Sequence, residues 1–213
     1  MRTYVYIDGF NLYYGALKGT PYKWLDVKKL IQNILAENHQ IDKIKFFTAR
    51  VKPTVNDPKS HLRQQVYLRA LEAAIPEIEI VYGHFLQHPI SLPICTATGE
   101  VILKNDRPKF VTVCKREEKG SDVNLAVHFL NDAWQNKYDC GVIVSNDSDL
   151  AEALKLVKNM GNIKLGVISP FDNMSKELRA HSTFQRKINT GALQDSQLPT
   201  EISGTNIKKP NNW

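Results

Sequence analysis

The chain has 213 residues, 42% hydrophobic and 23% charged, enough to bury one domain and without an apolar run of membrane-spanning length. Cys95, Cys114 and Cys140 are too few for a disulfide scaffold, and Met1 leads directly into a strand pattern without a signal peptide, so a cytoplasmic protein is expected. A formal charge of +6 and a pI near 9.1 tilt the chain towards polyanionic partners.

Thr3 to Ile7 (TYVYI) reads as a buried strand that stops at Asp8-Gly9-Phe10-Asn11. Asp8-Gly9 also suits a simple turn. Asp26 is an N-cap for a helix predicted over residues 27–37, with Leu30, Ile31, Ile34 and Leu35 inward. Residues 43–51 form a second strand and residues 53–58 a loop. A helix over residues 60–74 carries Leu62, Val66, Leu68 and Leu71, with Arg63 and Arg69 on its polar faces. Residues 78–82 are a third strand. This βαβαβ order favours a parallel, doubly wound sheet.

The rhythm breaks at Gly83. Residues 83–118 alternate like antiparallel strands, with turns at Thr98-Gly99 and Asn105-Asp106, and carry more Lys and Arg than Asp and Glu. Ser121-Asp122 opens a helix that buries Leu125, Ala126, Phe129 and Leu130. Residues 141–145 form a strand buried on both faces, which ends at Asn146-Asp147-Ser148-Asp149 before a helix with Leu150, Ala153, Leu154 and Val157 on one face. Residues 164–169 are a fifth strand and residues 175–180 a short helix. After Gly191 apolar periodicity ends, and residues 191–213 read as a disordered tail.

Four aspartates therefore share one setting. Asp8 ends the first strand, Asp122 starts the helix before the fourth, and Asp147 and Asp149 follow the fourth. If strands one and four are neighbours, all four meet in the crevice where the sheet order reverses. Each also has a local explanation: Asp147 or Ser148 as a helix cap, Asp149 at a favourable helix dipole. Clustered carboxylates repel, and a hard divalent cation or a shared proton is the usual reason to hold them together. The chain has no Ser-His-Asp order, Cys-His pair, or Gly-rich phosphate loop. Water activated by Mg²⁺ or Mn²⁺, attacking a phosphodiester, is the chemistry this pattern favours.

Three stretches carry a family resemblance: Tyr6-Ile7-Asp8-Gly9-Phe10-Asn11-Leu12, Glu118-Lys119-Gly120-Ser121-Asp122-Val123 and Val144-Ser145-Asn146-Asp147-Ser148-Asp149-Leu150. Together they resemble the NYN domain family of the PIN-like nuclease group, with the spacing of its LabA-like branch. The resemblance implies an α/β, PIN-like or Rossmann-like three-layer fold with a central parallel sheet of order 3-2-1-4-5. It also implies a metal-dependent ribonuclease. Asp8, Asp122, Asp147 and Asp149 match the acidic positions, expected to be catalytic and to hold Mg²⁺ or Mn²⁺, and Asn11 matches the polar position after the first strand. Ser148 is assigned to positioning a phosphate and Lys119 to substrate phosphate, with Lys115, Arg116 and Arg63 as further substrate contacts.

The expected organisation is one domain over residues 1–190, with residues 83–118 as a β-hairpin insertion. The expected partner is RNA, with a second copy of the chain as a further candidate and no membrane. The alternative function is a non-catalytic RNA-binding or regulatory module. Phe10, Tyr13 and Tyr14 suit base stacking or core packing. Cys95 and Cys114 lack the spacing of a structural zinc site.

Overall fold

In the computed structural model, which describes residues 1–211 and 213, the chain opens with β1 (Arg2–Asp8), α1 (Gly9–Leu12), α2 (Val27–Ile34) and β2 (Gln40–Thr48). It continues through α3 (Ser60–Ala74) and β3 (Ile78–Tyr82) into a projecting antiparallel segment: β4 (His84–Pro93), β5 (Leu103–Lys104), β6 (Arg107–Pro108) and β7 (Phe110–Lys119). Then come α4 (Ser121–Trp134), β8 (Cys140–Val144), α5 (Ala151–Met160), β9 (Lys164–Ser169), α6 (Lys176–His181), β10 (Phe184–Lys187) and α7 (Thr190–Asp195).

Six strands form the central sheet in the order β10-β9-β8-β1-β2-β3, and every neighbouring pair is parallel. The five-strand order expected from the sequence is present as β3-β2-β1-β8-β9, with β10 added beyond it. Apolar side chains alternate between two layers. Val5 and Ile7 of β1 face a core shared with Leu30, Ile31 and Leu71, whereas Tyr6 faces one shared with Phe129, Leu154 and Leu178. Ile7 pairs with Val144, so the ends of β1 and β8 lie side by side where the sheet order reverses.

The Tyr6 layer contains a buried polar knot. The Asp132 carboxylate of α4, fully buried, accepts from the Tyr6 hydroxyl at 2.8 Å, Lys45 Nζ at 2.5 Å and Lys137 Nζ at 3.1 Å. A buried carboxylate persists only with such partners.

The hairpin is a long ladder running from His84 opposite Lys119 to Pro93 opposite Phe110. Its base closes tightly at Gly83, where a Cβ would come 2.6 Å from the Lys119 carbonyl oxygen. No helix among the described residues is long and apolar enough to cross a membrane.

Two expectations need correction. Helix α3 buries Tyr67, Leu68, Ala70 and Leu71, while Leu62 is 50% exposed, because only the C-terminal half of this helix lies on the sheet. Residues 191–211 are not a loose tail. Leu193, Leu198, Ile202 and Ile207 are buried, the Asp26 N–H donates to the Ser196 carbonyl at 2.8 Å, and Trp24 Nε1 donates to the Pro199 carbonyl at 2.8 Å. Four separated aliphatic side chains, each contributing about 1.5–3 kcal/mol when fully buried, dock this segment without any periodicity of their own.

Candidate active site

Asp8 caps α1 from the end of β1. Its Oδ1 accepts the Asn11 N–H at 2.9 Å and its Oδ2 accepts the Ser145 hydroxyl at 3.0 Å. Glycine must follow it, since a Cβ on Gly9 would meet the Phe47 carbonyl oxygen at 2.8 Å. The same Ser145 hydroxyl accepts the Asp147 N–H at 3.1 Å, and Asn11 Oδ1 accepts the Asn146 N–H at 2.8 Å. The ends of β1 and β8 are thus laced together by side chains. Asn146 carries the lacing onward, accepting the Ser175 N–H and donating to the Asn173 carbonyl.

Asp147 turns back to accept the Asp149 N–H at 3.0 Å, a local cap of the kind its sequence context allowed. Ser148 and Asp149 are exposed, and Asp122 is half-buried in the first turn of α4. Burial pushes the Asp8 carboxyl up to about 6, and the Asp122 and Asp147 charges push the same way, while the bonds from Asn11 and Ser145 oppose them. The Asp122 carboxyl is also raised, by burial and then by Asp147, Glu118 and Asp149. All four aspartates therefore lie at one sheet edge, Asp8 in the field of Asp122 and Asp147, and Asp122 in that of Asp147 and Asp149.

Glu118 joins this group from the base of the hairpin. Its Oε1 accepts both the N–H and the hydroxyl of Ser121, at 3.1 and 2.6 Å. Neither Ser145 nor Glu118 was assigned a role from sequence. The available signals were a serine ending the buried strand and an acid three residues before a helix-opening serine.

Hard oxygen donors without a neutralising cation suit Mg²⁺ or Mn²⁺ chemically. Among the described residues, however, no group of three or more His, Cys, Asp or Glu side chains is arranged so that it could hold a metal ion. The exposed Cys95 and Cys114 belong to no such group either. The donor chemistry fits a divalent ion, while direct coordination requires the carboxylates to draw together.

The expected substrate contacts divide into three places. Asn11 and Ser148 stand with the aspartates, although Asn11 Oδ1 is engaged by Asn146. Lys115 and Lys119 both pair with Glu117, on the same side of β7. Arg116 points the other way, as strand alternation requires, and donates to the Pro53 carbonyl at 3.3 Å. Arg63 pairs with Asp57. Arg116 and Arg63 both line a cleft of about 830 Å³ that begins at Gly9 and Phe10, directly after Asp8.

The family model described as NYN domain matches residues 2–186. The 6-hydroxy-3-succinoylpyridine 3-monooxygenase HspA of Pseudomonas putida is 32% identical over 238 aligned residues, spanning 100% of this chain and 75% of the relative. A crystal structure of a protein of unknown function from Vibrio parahaemolyticus shares the fold, with a TM-score of 0.54 at 17% identity, covering 92% of this chain and 96% of that one.

Proposed function

As the chain belongs to the NYN domain family, whose likeness is to PIN-like nucleases, we propose that it is a metal-dependent ribonuclease of the LabA-like branch. The observation that carries this reading is the convergence of Asp8, Asp122, Asp147 and Asp149 at the β1–β8 edge, with the Asp8 and Asp122 carboxyls raised by burial first and by neighbouring carboxylates after it. These four residues would hold Mg²⁺ or Mn²⁺. When bound, such an ion lowers the pKa of water and neutralises charge developing on a phosphodiester.

The chain's own contribution is placement. Ser145 and the Asn11 N–H fix the Asp8 carboxylate, and the Asp147 cap fixes the turn that carries Asp149. Glu118 is oriented towards the head of α4 by Ser121 and raises the negative potential around Asp122. Ser148 is exposed beside the aspartates and supplies a hydroxyl for a substrate phosphate.

Two observations favour other readings. The lack of a ready three-carboxylate group among the described residues favours a non-catalytic RNA-binding module. The 32% identity spanning this whole chain favours a reaction like the one the Pseudomonas putida protein is named for, oxygenation of a substituted pyridine.

One set of assays separates the three. Purified chain is incubated with end-labelled RNA in Mg²⁺, Mn²⁺ or EDTA, beside Asp147→Asn. The nuclease reading expects cleavage with metal, none in EDTA, and a loss of orders of magnitude in the variant. RNA retention without cleavage selects the binding module. Hydroxylation of 6-hydroxy-3-succinoylpyridine with dioxygen and a reductant, with intact RNA, selects the oxygenase.

A further inference from the structure

The cleft beside Asp8 has a composition that the aspartate chemistry does not require. Its walls are aromatic: Phe10, Tyr13, Tyr14, Tyr67, Phe85 and Trp213. Phe10 meets Phe85 edge to face at 5.6 Å between centroids, and Tyr67 meets Trp213 at 5.3 Å. Tyr14 keeps 58% of its surface exposed, with Tyr13 against it edge to face at 5.3 Å between centroids. The Trp213 Nε1–H is buried and has no acceptor among the described residues.

The charge of the cleft is one-sided. Lys18, Lys23, Lys52, Arg63 and Arg116 line it, and among the described residues Asp57 supplies the one acidic side chain. Arg63 takes Asp57, and none of the other four cations has a carboxylate partner among the described residues. Lys18 lies 4.9 Å from the Tyr14 ring centre instead.

These two properties together restrict the occupant. Unpaired cations lining a concave, low-dielectric space concentrate anions. Ring faces stack on planar ligands, each contact contributing about 1–3 kcal/mol for a nucleobase. A bare inorganic anion leaves the rings unused, and a neutral apolar molecule leaves the cations unpaired. The volume, about 830 Å³, falls in the range of about 300–1,000 Å³ usual for small-ligand sites.

We propose that this cleft is a binding site for a planar aromatic ring carrying an anionic arm, the chemistry shared by a nucleotide of an RNA strand and a small aromatic carboxylate. Binding there needs neither metal nor bond cleavage, so it stands or falls separately from the nuclease reading.

The test is a titration of the full chain in EDTA, followed by calorimetry and tryptophan fluorescence, with two matched probe pairs. Adenosine 5′-monophosphate is compared with adenosine, and pyridine-3-carboxylate with pyridine-3-carboxamide. At least one anionic probe should saturate, about tenfold or more tighter than its neutral partner, as one charge-assisted hydrogen bond provides. The double variant Lys52→Ala/Arg116→Ala should abolish that preference, and Tyr14→Ala should weaken both members of the favoured pair, with melting temperatures unchanged. Which anionic probe binds identifies the source of the ring. No saturable binding of either, or equal binding of charged and neutral partners, overturns the proposal.

Discussion

Ser145 donates its hydroxyl to Asp8 across the β8–β1 boundary at 3.0 Å, and so ties a buried carboxylate of one strand to the end of its neighbour. The same oxygen accepts the Asp147 N–H, so one side chain sets the relative positions of two aspartates. Replacing Ser145 by alanine leaves Asp8 with only the Asn11 N–H. The expected cost is about 1–3 kcal/mol, the usual penalty for depriving a buried acceptor of its donor. Denaturant unfolding at neutral pH measures it. Ser145→Thr, which keeps the hydroxyl, should lose less than Ser145→Ala, and equal losses would refute the assigned role of the bond.

Asp8 itself gives a prediction with a defined sign. Its ordinary value is 3.8 and its folded value is raised to about 6, by burial first and by Asp122 and Asp147 after it. Between those values the folded state binds more protons than the unfolded one, so this group destabilises the fold as pH rises through that window. Asp8→Asn keeps an oxygen for the Asn11 N–H, turns an amide NH₂ towards the Ser145 hydroxyl, which can accept from it, and removes the charge. In EDTA the variant should melt above wild type at pH 7, and the gap should shrink as pH falls from about 6 towards 4. Thermal unfolding of both proteins across that range reads it directly. A gap that does not change with pH would show that the Asp8 charge is not strained.

The knot around Asp132 behaves in the opposite way. Burial alone would raise this carboxyl, but Lys45, Tyr6 and Lys137 outweigh it and hold the group below its ordinary value of 3.8. Its contribution is therefore complete above that value and is lost as pH falls through the lower, folded one. Asp132→Asn strands the Lys45 ammonium, whose side chain is 9% exposed. The expected loss is about 3–5 kcal/mol at pH 7, typical of breaking a buried ion pair from one side. In denaturant titrations the difference from wild type should persist at pH 5 and close only in stronger acid.

What could be read from the sequence followed from local periodicity. The apolar runs ending at Asp8 and Ser145 placed two acidic turns at one sheet edge, and α3 falls on the predicted residues 60–74. Strand β10, Phe-Gln-Arg-Lys, carries one apolar side chain and joins the sheet at its edge through backbone pairing with β9, which leaves almost no pattern to detect. The C-terminal segment was missed for a related reason: Leu193, Leu198, Ile202 and Ile207 are individually buried against a surface built by distant residues. The aromatic cleft is similarly non-local. It draws on α1, the 51–57 loop, α3 and both hairpin strands, and only the folded chain brings them together.

The hairpin supports a prediction that sequence charge alone could not distinguish. Lys115 and Arg116 are adjacent cations, yet alternation along β7 sends them to opposite sides. Lys115 is engaged with Glu117, whereas Arg116 lines the cleft with, among the described residues, only the Pro53 carbonyl as its side-chain partner. If RNA crosses the cleft on its way to the aspartates, Arg116→Glu should weaken binding for all sequences alike. It should also reduce the slope of log affinity against log salt by about 0.7–1, the loss of one phosphate contact. Lys115→Glu should change that slope by less, because its ammonium is already partly neutralised. Fluorescence anisotropy with a short unstructured RNA, in EDTA and across a salt series, measures both. Equal effects of the two substitutions would place the RNA elsewhere on the hairpin, and a salt-independent affinity in wild type would argue against a polymeric nucleic acid as the ligand.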